Sequence, residues 1–436
     1  MGVTTKLVPW NAPTAGMPVN TDVRLPGSKS ITARALVIAA ASVGPSTLHA
    51  PLRARDTELM AAGLRAMGAH VSTMDDERWE VRPRPLHGPA HINAGLAGTV
   101  MRFLPPLAAL ANGEVTFDGD EYARKRPMGP LLKALRELGV SRIDASETDG
   151  MPFTIYGEGR VRGGEVVVDA SKSSQLVSGL LLSGADYDEG LIVRHVGKPV
   201  PSAPHLRMTV QMLRAAGAAV DDSVADLWQV APGRLMGRAW QIEPDLSGAA
   251  PFFAAALVTG GRVTLTGWPT SSVQPVDRVR ELFTAMGAKV TRGEAGLTVA
   301  GTGQIHGIDA TLGDVGELTP VIAALATLAD GPSNIRGVGH IRHHETDRIS
   351  ALAHELSALG ADITEHEDGL TIKPRPLSGA VFQTYADHRM VHAASVIGLR
   401  VPGVSVDDVS CTSKTLPSFP SLWESLAGKP ESGAEG

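Results

Sequence analysis

The chain has 436 residues, 43% of them hydrophobic and 20% charged, with a formal net charge of −6 and one cysteine, Cys411. That length exceeds one ordinary core and implies two domains, while the acidic balance disfavours a nucleic-acid binder. A single cysteine excludes an intrachain disulfide framework and fits a reducing compartment.

The first stretch, "MGVTTKLVPWNAPTAGM", has no basic segment followed by an apolar run, so no signal peptide is read there, and Lys6 breaks the myristoylation pattern. A leading strand within residues 1–24 is expected to pair with the C-terminal half, because the repeat described next starts only after it. "LPGSKSITARALVIAAAS" (25–42) then reads as an apolar helix whose first turn carries Lys29, Ser30 and Arg34. A helix start already carries partial positive charge, so two added cations point to an arriving anion.

Similar helices recur roughly every 70 residues, a longer period than that of solenoid repeats. They are "LAGTVMRFLPPLAALA", "SKSSQLVSGLLLSGA", "LSGAAPFFAAALVTGG", "GELTPVIAALATLADG" and "ADHRMVHAASVIGLR". Strand-like runs such as "VTFDG", "LIVRH" and "VTLTG" follow most of them. A second phrase alternates with the helices: "LRAMGAHV", "LRELGVSR", "LRAAGAAV", "LFTAMGAKV" and "ELSALGADI". Each reads as a helix, a Gly stop and a strand. The expected class is α/β (or α+β), with helices apolar all round and therefore buried. Three repeats per domain give a discontinuous domain of 1–24 plus 246–436 and a continuous one of 25–245. The terminal "AGKPESGAEG" reads as frayed. No run is long and apolar enough for a membrane span.

The six helix starts differ chemically. The second carries Gly98, Thr99 and Arg102; the third Ser173, Ser174 and Gln175; the fifth Glu317; the sixth Asp387, His388 and Arg389. The fourth, "LSGAAPF", has no charge and reads as structural. Between helices lie "RKRPMG" with Arg126, "RHHETDRIS" with His344, Glu345 and Arg348, and "CTSKTLPSFP" with Lys414. Helical spacing would put His344 and Arg348 on one face. Taken singly, each has a bland reading: a basic turn, a solvated helix start, a surface lysine, an N-cap serine. Together they describe a site rich in cations and hydroxyls with one carboxylate. It has no metal-ligand spacing, no ATP-cradling loop and no dinucleotide fingerprint. Such a site suits two small polyanions bearing phosphates and carboxylates.

In order, "LPGSKSITARAL", "LAGTVMRFL", "DGDEYARKRPMGPL", "SKSSQLVSGLL", "HHETDRI", "ADHRM" and "CTSKTLPSFP" resemble the motifs of the 5-enolpyruvylshikimate-3-phosphate synthase family, over about residues 24–422. The resemblance implies a two-domain inside-out α/β barrel, each domain three βαβαββ repeats, closing on substrates between them. It implies transfer of the enolpyruvyl group of phosphoenolpyruvate to the 5-hydroxyl of shikimate 3-phosphate, without metal or organic cofactor, in a cytoplasmic monomer of the shikimate pathway. Carried over by matching position, Lys29, Ser30, Arg34, Ser173, Ser174, Gln175, Ser202, Glu317, His340 and His344 would hold shikimate 3-phosphate. Lys29, Gly98, Arg126, Gln175, Arg348, Arg389 and Lys414 would hold phosphoenolpyruvate. Glu317 matches the proton acceptor, Glu345 or Lys29 would protonate C3, and His344 would orient the hydroxyl. The sequence departs from many members: Glu317 for Asp, His344 for Lys, His340 for Asn, Leu96 for Asn and Phe103 for Pro. The sister enzyme acting on UDP-N-acetylglucosamine uses a Cys on the loop that here reads "RKRPMGP" and has none. A non-catalytic sensor of phosphorylated metabolites is the reading from another class, and Glu317, His344 and Glu345 argue against it. Basic groups from both halves are expected to repel one another without ligand.

Overall fold

The computed structural model describes residues 8–428 apart from 74, 76, 147 and 148. Residues 1–7 and most of "AGKPESGAEG", which reads as frayed, therefore lie outside the described residues. The chain divides into two compact units, one of residues 26–243 and one joining the residues up to 25 with those from 244 onward.

Each unit is built on three inner helices packed on one another. In the continuous unit they are Lys29–Ala41, Gly98–Ala108 and Ser174–Ser183. In the discontinuous unit they are Leu246–Thr259, Thr319–Thr327 and His388–Gly398. Their sequences are apolar all round, and burial follows: every residue from Ile31 to Ala40 is buried. Each large aliphatic side chain so buried contributes about 1.5–3 kcal/mol.

Sheets cover these helices in a repeated order. The strand before an inner helix pairs parallel with the strand after it, as Ala90–Asn93 does with Asn112–Asp118. That strand then pairs antiparallel with the last strand of the repeat, Phe153–Glu158, which carries Arg142–Ala145 at the edge. Five four-stranded sheets keep this order, and the sixth sheet has three strands. Between the second and third strands runs an outer helix: Arg55–Ala66, Gly129–Glu137, Ala203–Ala215, Val276–Ala285 or Arg348–Ala358. Each ends at a glycine with positive φ, from 94° at Gly217 to 111° at Gly360. A side chain there would be strained, which explains the recurrent "L–G" phrase.

The leading strands are exchanged. Asn20–Val23 precedes the first inner helix in sequence but pairs parallel with Arg262–Leu265 of the discontinuous unit. Ala239–Gln241 precedes the fourth inner helix but pairs parallel with Ser46–His49 of the continuous one. Trp10–Asn11 completes the sixth sheet beside Ser405–Val406. Among the described residues no helix is long and apolar enough to cross a membrane.

Candidate active site

In the continuous unit the site begins at the first inner helix. Lys29 opens it, with its ammonium 3.1 Å from the buried Asp56 carboxylate. Ser30 follows, half-buried. Arg34 lies one turn on and is 2% exposed. Its guanidinium donates to the Thr209 hydroxyl (2.7 Å), the Ser30 carbonyl (2.9 Å), the Ser178 hydroxyl (3.3 Å) and the His205 carbonyl (3.2 Å). The Phe103 ring lies 5.1 Å from it. No described carboxylate pairs with this cation. Burial alone pushes its pKa down to about 9. Its partners link three helix starts, because Ser178 sits on the third inner helix and Thr209 on the outer helix that opens after Ser202. Ser202 itself is buried and left-handed, with φ 54°, a strain typical of residues held for function.

The second and third inner helices start at the same place. Ser173 caps the third helix, accepting from the Gln175 N–H at 3.3 Å, and Ser174 is buried behind it. A Cβ added at Gly98 would lie 2.9 Å from Gln175 Oε1, 3.2 Å from Arg126 Nη2 and 3.3 Å from Arg102 Nη1. A side chain at Gly98 would push on the amide and two guanidinium groups that converge on a helix N-terminus there. Arg126 is steadied by donating to the Leu96 carbonyl at 3.2 Å.

In the discontinuous unit the hub is Arg348, 1% exposed. It donates to Asp387 (2.7 and 3.2 Å), Glu317 (3.1 Å), Glu345 (2.7 Å) and His344 Nδ1 (2.9 Å). Burial opposes its charge, but Asp387, Glu345 and Glu317 outweigh burial and hold its pKa well above the usual value. Arg389 Nε lies 2.9 Å from Glu317 Oε2, and its other nitrogens donate to the carbonyl and hydroxyl of Ser247 at 3.0 and 2.9 Å. Lys414, buried on a 3-10 turn, donates to Glu345 at 2.7 Å. Burial works against ionisation of Glu317, yet Arg348, Arg389 and His344 hold its carboxyl well below the ordinary range.

Both histidines are neutral near pH 7. Burial, aided by Arg348, pushes His344 down to about 3 and, despite Glu317, His340 to about 4. Arg348 can only donate, so His344 Nδ1 accepts and the ring proton sits on Nε2. The His340 ring is 5.7 Å from that of His344 and packs against Gly316.

The structure corrects four sequence expectations. The fourth helix start is not merely structural: Ser247 anchors Arg389. His344 meets Arg348 without sharing a helix, because a 3-10 turn, Gly339–His343, precedes a helix that opens only at Arg348. Asp347 caps that helix, accepting from the Ser350 N–H at 3.1 Å. Arg34 is turned inward to hydroxyls and carbonyls, so it would act on an anion through charge and through the helix starts it holds. The cations Arg348, Arg389 and Lys414 are answered by Glu317, Glu345 and Asp387, so this group presents no bare positive field to repel another. The sequence reading left Asp56, Ser178, Thr209 and Ser247 out of the site. Asp387, which the sequence did mark at the sixth helix start, caps that helix, accepting from the Arg389 N–H at 2.9 Å.

Each unit is a set of buried helices with charged groups at its helix starts, an arrangement suited to small polyanionic substrates. EPSP synthase from Acinetobacter baumannii superposes with a TM-score of 0.80 at 25% identity, over 96% of this chain and 98% of that one. A second structure of that enzyme gives 0.79 at 25% identity, over 97% and 98%. The enolpyruvyl transferase NikO from Streptomyces tendae shares the fold, with a TM-score of 0.76 at 20% identity over 96% and 98%. The family model of EPSP synthase (3-phosphoshikimate 1-carboxyvinyltransferase) matches residues 13–423, and the chain belongs to that family. It is thus a transferase of the shikimate pathway of aromatic amino acid biosynthesis.

Proposed function

We propose that the enzyme adds the 5-hydroxyl of shikimate 3-phosphate to C2 of phosphoenolpyruvate, with protonation of C3, and then expels phosphate from the tetrahedral intermediate. The observation that carries this reading is the Glu317 carboxylate held between Arg348 and Arg389 beside a neutral His344. Left alone, Glu317 is a weak base, because two guanidinium groups stabilise its charge. An anionic substrate on Arg348 and Arg389 would share that positive charge and raise the Glu317 pKa toward the working pH, where a general base is effective.

In this reading Lys29, Ser30, Arg34, Ser173, Ser174, Gln175 and Ser202 hold shikimate 3-phosphate, with Glu317, His340 and His344 toward its reacting hydroxyl. Lys29, Gly98, Arg126, Gln175, Arg348, Arg389 and Lys414 hold phosphoenolpyruvate. The cations stabilise charge developing on the departing phosphate. His344, with its proton on Nε2, orients the hydroxyl. Glu345 or Lys29 protonates C3; Glu345 is engaged by Arg348 and Lys414, and Lys29 by Asp56. We read the enzyme as a cytoplasmic monomer acting on these two small molecules without a cofactor. The Cys411 thiol, pushed up to about 12 chiefly by burial, is unsuited to nucleophilic work.

The test is phosphate release from phosphoenolpyruvate. Release with shikimate 3-phosphate is expected. Release only with UDP-N-acetylglucosamine would establish the sister activity, and release with no acceptor would sink both.

A further inference from the structure

The outer helix Arg348–Ala358 grips the chain before the sixth inner helix at two levels. At its head Arg348 holds Asp387, at 2.7 and 3.2 Å. Seven residues later, nearly two full turns and so on the same face, stands Glu355. This carboxyl is 2% exposed. It accepts from the Gln383 N–H at 2.9 Å and from the Tyr385 hydroxyl at 2.6 Å. Asp407 secures the residue between them, accepting from the Thr384 N–H at 2.8 Å.

Between the two grips lie Tyr385 and Ala386, with φ of 53° and 56°. They are the adjacent pair of left-handed non-glycine residues among the described residues; the others stand singly. Side chains carrying a Cβ resist that conformation, and two in succession persist only where the surroundings over-determine them. The turn they make delivers Asp387 to Arg348, and Arg389, two residues on, to Glu317. The Asp387 N–H closes this turn on the Thr384 carbonyl at 2.9 Å, and the hydroxyl of the largely exposed Tyr385 ties the turn to the outer helix.

We propose that the Tyr385–Glu355 hydrogen bond is a positioning device for the reaction: it holds the strained Tyr385–Ala386 turn so that Asp387 and Arg389 meet Arg348 and Glu317. Neither Tyr385 nor Glu355 touches the reacting atoms; both act through Arg389. The phenol pKa is pushed up to about 12, by burial and by Glu355, which keeps the hydroxyl a donor. The proposal rests on the functional reading above, in which Arg389 holds phosphoenolpyruvate and shikimate 3-phosphate is held chiefly by the continuous unit.

The test compares steady-state kinetics of the full chain with those of Tyr385→Phe, which keeps the ring. Loss of a charge-assisted hydrogen bond predicts a KM for phosphoenolpyruvate raised about tenfold, with the KM for shikimate 3-phosphate nearly unmoved. Adding Ala386→Gly to Tyr385→Phe should restore most of the loss, because glycine holds the left-handed turn unaided. If the full chain does not turn over the two substrates, the functional reading falls and this inference falls with it. If the full chain is active but Tyr385→Phe lowers only thermal stability, or the glycine does not rescue, the grip is purely structural and the proposal is overturned.

Discussion

Among the buried arginines of the described residues, Arg348 and Arg34 are stabilised in opposite ways. Arg348 is surrounded by Asp387, Glu345 and Glu317 and is held charged more firmly than in water. Arg34 is surrounded by hydroxyls, carbonyls and a phenyl ring, with burial pulling its pKa down to about 9. A buried charge without a counter-charge is costly, and the cost falls when an anion arrives. Arg34 is thus prepared to gain from an anionic ligand. Arg348 already has its anions, and a ligand must share it with them. In the proposed reading one arginine favours binding and the other organises a carboxylate for chemistry.

The largest effect should come from the paired group. Glu317→Gln removes the base and should lower kcat about 10²–10⁴-fold while changing substrate affinity little. Equal losses in kcat and affinity would instead make Glu317 a binding residue and erase the division between the two arginines.

A stability comparison of the arginines comes next. Arg348→Met takes the guanidinium counter-charge from the buried Asp387, leaving it the Arg389 N–H, and should cost about 3–5 kcal/mol in denaturant unfolding. In Arg34→Met, Thr209 can still donate to the Ser178 hydroxyl or to the His205 carbonyl, so stability should move by only about 1 kcal/mol. Affinity for shikimate 3-phosphate should nonetheless fall about 10–100-fold in that variant, measurable by calorimetry. Similar destabilisation in both would mean that Arg34 has a counter-charge after all.

The pH dependence separates them further. Unfolded, the Arg34 guanidinium keeps its proton well above pH 9, whereas folded it releases it near 9. The unfolded chain then binds more protons, so this group's contribution to stability rises with pH above 9. An anion bound against it should be lost over the same range, by up to about tenfold per pH unit, and Arg34→Met should flatten that limb. At the acid end, unfolded histidines take up protons near 6.5, but folded His340 and His344 wait until about 4 and 3. Stability should therefore fall as pH drops through that window, and His340→Asn with His344→Gln should reduce the slope. An unchanged slope would mean that the rings are not neutral in the folded chain.

The smallest change tests the fourth helix start. Ser247→Ala removes one of two contacts to Arg389 and should cost about 0.5–1.5 kcal/mol, with a modest rise in the KM for phosphoenolpyruvate. No change in KM would show that the Ser247 carbonyl alone orients Arg389.

Much of the site was legible from residue order. Lys29, Gly98, Gln175, Glu317, Arg348 and Arg389 stand at or near helix starts, where anion binding has a local cause, and the glycine stops marked each helix-to-strand passage. The polar partners were hidden because they come from far along the chain. Asp56 is 27 residues from Lys29, and Thr209 is 175 from Arg34. The His344–Arg348 contact was foreseen on the wrong ground: a spacing of four suggested a helix, but Asp347 caps the helix just before Arg348 and a 3-10 turn carries His344.

Periodicity, caps and glycines are local, so the six apolar helices, their polar starts and the two-unit division follow from short windows of the chain. Strand partners and counter-charges are not local. The phase of the repeat set the leading strand apart, and "NTDV" does pair in the C-terminal half, with Arg262–Leu265; nothing in "AWQ" says that it leaves the helix it precedes and pairs with Ser46–His49 instead. Nor does a lone arginine state whether it will meet a carboxylate or a hydroxyl. Packing decides that, because a buried charge takes its energy from whichever groups the fold brings within reach.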